Sequence, residues 1–304
     1  MKPSLQRDTE APSGDASGFT NRTALVLGGG GSAGNAWLIG VIAGLHGAGL
    51  DVTNADLIIG TSAGATAAAQ ITGASPTELF ASILTAPTLQ RVAAGPIPNL
   101  QSEGLERVTR ISAASVDAAD MRRRMGAAAI ELDADSHGSD RWRAIVAARL
   151  PNPAWPQQRV VMTAVDAGTG EDALLDRDSG VDLIDAVAAS TSGGPAYRIG
   201  ERKYIDGGYR RNENADLAAG YERVLVLSPL GGRTLHPLEW RMQLSAQVED
   251  LEASGSTVEA ILPDRNSLEA FGDNMMNLST RPAAAQSGHD QGTALAEQLA
   301  EFWR

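Results

Sequence analysis

The chain has 304 residues, 43% of them hydrophobic, enough to bury a large core in one α/β domain. It has no cysteine, which excludes disulfides, cysteine-ligated metal and thiol catalysis and fits a reducing cytoplasm. Its 25 Lys and Arg against 37 Asp and Glu give a net charge of −12, which sets nucleic acid aside as a partner and disfavours anionic surfaces.

Residues 1–20 are polar and rich in Ser, Gly and Pro, and they predict a disordered lead-in without the apolar core of a signal peptide. Thr23–Leu27 (TALVL) predicts a strand that runs into four glycines, followed by a packed helix over Ala36–Gly49. The longest apolar stretch, Ala36–Leu50, is broken by four glycines and His46. It falls short of the about 20 residues a membrane span needs, so no transmembrane segment and a cytoplasmic location are expected. Asp56–Ile59 (DLII) predicts a second strand that also ends at a glycine, and Ala63–Gly73 an alanine-rich helix. The strand, glycine turn and helix thus occur twice, which predicts a mostly parallel sheet with its site at the carboxyl ends of the strands.

Between Ser75 and Leu150 the pattern is helical, with Pro87, Pro96 and Pro98 marking an irregular stretch. These helices fit a cap over the site and an ordinary layer on the sheet equally well. Arg122–Arg124 predicts a solvated helix face. Strands return at Arg159–Val165, Ala173–Asp176, Lys203–Ile205, Arg223–Leu227 and, more weakly, Val258–Leu262. A helix over Asp182–Ser190 lies between them, and Ala283–Trp303 predicts a closing helix. One domain over 21–304 is expected.

Three short segments carry chemistry. Gly60-Thr61-Ser62-Ala63-Gly64 matches G-x-S-x-G between a strand and a helix, the setting in which a serine is held at a sharp turn. The plainer alternative makes Ser62 an N-cap. Gly28–Gly34 (GGGGSAG) has two sharp readings. Gly29, Gly31 and Gly34 fit the G-x-G-x-x-G dinucleotide fingerprint, but Asp51 and Asp56 both precede the next strand, and Gly60 and Ser62 stand where its ribose acid belongs. The other reading is an oxyanion hole, since residues without side chains let backbone amides converge on one developing charge. No Gly-Lys-Ser/Thr follows, which excludes a P-loop. Asp206-Gly207-Gly208, after the strand Lys203–Ile205, is by itself a common turn.

In the order glycine loop, serine elbow, Asp-Gly-Gly, the three resemble the patatin-like phospholipase family. Val165–Glu171 and Ala188–Pro195 (AASTSGGP) are similar to family sequence as well, so the resemblance covers Thr23–Pro229. It implies a three-layer α/β/α sandwich and a lipid acyl hydrolase, a phospholipase A or carboxylic-ester hydrolase that needs no cofactor or metal. It implies Ser62 as nucleophile and Asp206 as proton acceptor, with oxyanion donors from Gly29, Gly30 and Gly31. Gly34, Gly60, Gly64, Gly207 and Gly208 would be motif glycines. The partner implied is a lipid or other acyl ester, met through transient contact with a membrane surface. Where many relatives carry a basic residue just before the last glycine of the loop, this chain has Ala33, which withdraws charge-assisted help and leaves the backbone donors. A Ser-Asp-His triad ending in His236 or His289 is a weaker alternative, since neither lies in a motif. An oxidoreductase built on the glycine loop and a lipid-binding module without turnover are the rival classes.

Overall fold

Along Thr23–Leu27 (β1), Leu25 and Leu27 enter one core while Ala24 and Val26 enter another, so the strand is buried on both faces. Such a strand needs helices above and below it. The computed structural model supplies them and describes residues 21–86, 100–133 and 137–304, leaving the side chains of 100–103 aside. The expected lead-in over 1–20 and the stretch marked by Pro87, Pro96 and Pro98 lie outside the described residues.

After β1 come α1 (Gly31–Gly47), β2 (Leu57–Thr61), α2 (Ala63–Ile71) and α3 (Pro76–Thr85). Then follow α4 (Leu100–Ala114), α5 (Ala118–Leu132) and α6 (Gly138–Ala147). The second half holds β3 (Arg159–Asp166), β4 (Asp172–Leu175), α7 (Leu183–Ser190), β5 (Tyr197–Ile199), β6 (Arg202–Asp206) and β7 (Arg223–Leu227). It closes with α8 (Leu244–Ala253), β8 (Thr257–Ile261), α9 (Arg265–Phe271) and α10 (Arg281–Trp303). The strands form one sheet in the order β5-β6-β3-β2-β1-β7-β8, with β4 beside β3. Strands β1, β2, β3, β7 and β8 are mutually parallel, while β4, β5 and β6 join antiparallel at one side. The result is a mostly parallel central sheet flanked by helices, as expected.

α1 starts at Gly31, before the expected Ala36, because the glycine loop itself forms its first turn. Three elements have no counterpart in the sequence reading: β5, a three-residue edge strand, and the helices α8 and α9. In the helical segment α5 buries Met121, Met125 and Ala129 against Val165 of β3 and Ile205 of β6, as a layer helix does. α6 packs on α7.

The closing helix lies along α1 with backbone almost on backbone. A Cβ at Gly288 would stand 2.5 Å from the Trp37 carbonyl oxygen, and one at Gly44 would collide with the His289 carbonyl. Small residues on both helices permit this approach, which fixes the start of α10 beside the glycine loop. Among the described residues no helix is long and apolar enough to cross a membrane.

Candidate active site

Strand register brings two of the expected groups together. Thr61 of β2 pairs with Thr163 of β3, and Asp206 of β6 pairs with Ala164, the next residue of β3. Ser62 and Asp206 therefore leave their strands at the same height beside β3. Ser62 sits at φ 53 and ψ −112, a conformation strained for any residue with a side chain. The turn is kept tight by its neighbours, for a Cβ at Gly64 would collide with the Leu27 carbonyl and one at Gly60 would come 2.6 Å from the Ala65 Cα. Ser62 does stand at the N-cap position of α2, but its side chain makes no cap bond to the helix. Its amide donates to Ser190 Oγ at 2.9 Å, and its Cβ faces Gly29.

In the glycine loop the Gly28 amide donates to the Leu227 carbonyl at 3.0 Å and the Gly29 amide to the Asn212 carbonyl at 2.8 Å. Gly29 is thus engaged, which corrects the expected donor set of Gly29, Gly30 and Gly31. The amides of Gly30 and Gly31 meet no acceptor among the described residues. Gly31 has φ +62, and Gly34 packs on Pro229. No acidic side chain ends β2, where the dinucleotide reading needs one.

Asp206 is partly buried and accepts the Gly208 amide at 2.7 Å. Burial pushes its carboxyl up to about 6, against the pull of the Gly208 amide and the Ser62 hydroxyl. The Ser62 hydroxyl thus lies within hydrogen-bonding reach of the carboxyl and favours its charged form. Gly207 lies against Thr163, whose carbonyl a Cβ there would strike. The two histidines of the alternative triad have other partners among the described residues. His236 Nδ1 meets Ser112 Oγ at 3.0 Å and its ring stacks on Trp240, while His289 stacks on Phe80.

Below the pair lies a buried polar hub without a recognised motif. Asn214, wholly buried and left-handed at φ 58, donates through Nδ2 to Thr61 Oγ1 at 2.9 Å, Thr163 Oγ1 at 3.1 Å and the Gly207 carbonyl at 3.2 Å. It ties the residue before Ser62 to the residue after Asp206. Beside it Glu213, 1% exposed, accepts the Ser228 hydroxyl at 2.7 Å, and burial pushes its carboxyl up to about 7. Ser190, Asn214 and Arg281 are residues the sequence reading gave no role. Asn212-Glu213-Asn214, polar residues so soon after Asp-Gly-Gly, was the one available signal. Among the described residues no three His, Asp or Glu side chains converge as metal ligands would.

A mostly parallel α/β sheet that presents a strained serine beside a buried carboxyl and two free loop amides defines a mixed α/β protein with a serine elbow. The chain belongs to the patatin-like phospholipase family, whose model matches residues 25–219. No curated protein matches it. Among solved structures it is similar to the type III effector protein ExoU, at 14% identity and a TM-score of 0.41, over 92% of this chain and 54% of that one. It therefore spans about half of that chain's length.

Proposed function

We propose that the chain hydrolyses acyl esters of lipids, with Ser62 as nucleophile and Asp206 as its base. The observation that carries the reading is the pairing of a strained Ser62 with a carboxyl poised at about 6, next to two unoccupied amides. The Asp206 carboxylate takes the Ser62 proton while Oγ bonds to the ester carbonyl carbon. The carbonyl electron pair moves onto oxygen, where the amides of Gly30 and Gly31 receive it; losing one such donor typically costs about 10²–10³ in rate. Collapse of this intermediate breaks the bond to the alcohol, which leaves with the proton from Asp206. Water then attacks the acyl-serine, Asp206 accepts its proton and returns it to Ser62, and a fatty acid departs.

A carboxylate of ordinary pKa is a weak base at neutral pH, so its burial favours the role. The test is turnover of a short-chain p-nitrophenyl ester by wild type, Ser62→Ala and Asp206→Asn, each confirmed folded. Loss of nearly all activity in both variants is expected. Retention by Asp206→Asn of more than about a tenth of the wild-type rate would remove that residue from the mechanism.

A further inference from the structure

The segment between α9 and α10 runs along the glycine loop. The Met275 carbonyl accepts the Ala33 amide at 2.8 Å, and Arg281, at the start of α10, donates to the Ser32 carbonyl at 2.9 Å. Met276 stands in the chain between these two ties. A Cβ at Gly31 would lie 2.8 Å from its sulfur and 3.1 Å from the Met275 carbonyl oxygen. The Met276 amide donates to Asn274 Oδ1 at 2.8 Å, so its backbone is held and its side chain is delivered to Gly31.

Other neighbours of the loop offer a ligand less. Pro229, packed on Gly30 and Gly34, is buried, and the Asn212 carbonyl is taken by the Gly29 amide. Met276 is 56% exposed, and its unbranched thioether is apolar and adapts to what lies on it. It is also close to the chemistry. The nitrogen and Cβ of one residue are about 2.5 Å apart, which puts the sulfur within about 5.5 Å of the Gly31 nitrogen, the proposed donor to the ester carbonyl.

Strand register decides which part of the ester meets it. β2 and β6 pair with successive stretches of β3, so Asp206 lies beyond Ser62, whereas the glycine loop follows β1 and lies beside it. The alcohol stays by Asp206, from which it takes its proton, and the acyl chain is left to face the loop. We propose that Met276 is a specificity-determining residue, an apolar rest for the acyl chain that favours esters of acids longer than acetate. The proposal rests on the hydrolase reading above. An acetyl group ends before it reaches the sulfur, while a hexanoyl chain lies along the thioether and takes both surfaces out of water.

The experiment measures kcat/KM on p-nitrophenyl acetate and hexanoate for wild type, Met276→Leu, Met276→Ala and Met276→Gln, with melting temperatures as the check on folding. Wild type is expected to prefer hexanoate. Met276→Leu should keep the hexanoate-to-acetate ratio within about twofold, since it keeps the apolar surface. Met276→Ala, which removes that surface, and Met276→Gln, which makes it polar at equal length, should each lower the ratio about fivefold or more. An unchanged ratio in a folded Met276→Ala overturns the proposal, as does an equal fall on both esters, which a merely structural role would give. Should wild type cleave neither ester, the hydrolase reading fails by itself, and the contact is judged by hydrogen peroxide, which oxidises an exposed thioether to the sulfoxide. Mass spectrometry of the oxidised protein then reads Met276 in the presence of sodium hexanoate or sodium acetate. Oxidation slowed about threefold or more by hexanoate alone supports the contact, and equal rates overturn it.

Discussion

Arg281 Nη1 donates to the Ser32 carbonyl at 2.9 Å, joining the first residue of the closing helix to the glycine loop across 249 positions. The same nitrogen reaches Asn35 Oδ1 at 3.1 Å, and Asn35 Nδ2 lies 3.4 Å from the carbonyl of Ala63, the residue after Ser62. One guanidinium thus steadies both the loop with the free amides and the turn with the strained serine. Burial and the neighbouring charge of Arg149 disfavour its charged form. Arg281→Gln should lower kcat about tenfold with a smaller change in KM, because the loop amides act on the developing charge more than on bound ester. Arg281→Lys should recover only part, since one ammonium cannot reproduce the planar fork. A loss of rate that merely follows the folded fraction, read from melting curves, would reduce Arg281 to a scaffold residue.

The pH profile of turnover should carry the Asp206 carboxyl. The base works only when ionised, and burial raises its pKa to about 6, so kcat/KM should climb as pH rises through about 6 and level off above it. A rising limb centred near 4, the value of an exposed aspartate, would show that the carboxyl is not desolvated in the working enzyme.

Glu213 gives a separate signature in stability. Burial holds its carboxyl up at about 7, above the ordinary 4.5 of a free glutamate, so the folded protein holds this proton more tightly than the unfolded chain does. That contribution is complete below about 4.5, declines as pH rises and is lost above about 7, a change of about 3 kcal/mol. Glu213→Gln, which keeps the shape and removes the titration, should therefore stabilise the protein at pH about 8 and leave it nearly unchanged at pH about 5. Urea unfolding of both proteins at the two pH values checks this, and equal differences at both would exclude a buried ionising Glu213.

Most of the sheet was legible because its strands announce themselves. TALVL and RVLVL are short apolar runs ended by glycine or Ser-Pro, and the strand bounds Thr23–Leu27 and Arg223–Leu227 agree with the expectation residue for residue. The three motifs were legible for a related reason: steric demands at Gly60, Gly64 and Gly207 leave small residues at fixed spacing. What holds the motifs in place was not. Gly29 reads as a free donor until the Asn212 carbonyl is found against it, a contact between residues far apart in sequence. Arg281 looks like any arginine near a helix start, and only the bare-backbone packing of α10 on α1 brings it to Ser32. β5 spans three residues, too few to show alternation.

Asn214 offers the sharpest test of how the pair is held. Its Nδ2 serves Thr61, Thr163, Gly207 and, at 2.7 Å, the Arg211 carbonyl, while its Oδ1 accepts Arg210 Nη1 at 2.7 Å. Removing the amide leaves several buried polar groups short of a partner, each costing about 1–3 kcal/mol if no water enters. Alanine also bears the left-handed backbone at φ 58 less well than asparagine. Asn214→Ala should therefore lose about 3 kcal/mol or more in denaturant unfolding. Asn214→Asp keeps the shape but replaces the donor with an acceptor beside Thr61 Oγ1 and the Gly207 carbonyl, so it should do no better. In whatever fraction stays folded, kcat should fall more than KM rises, because Thr61 precedes Ser62 and Gly207 follows Asp206, and a displacement of about 1 Å between reacting groups can cost about 10² in rate. If Asn214→Ala instead unfolds at the wild-type denaturant concentration and turns over at the wild-type rate, the alignment of Ser62 with Asp206 is set by the strands alone.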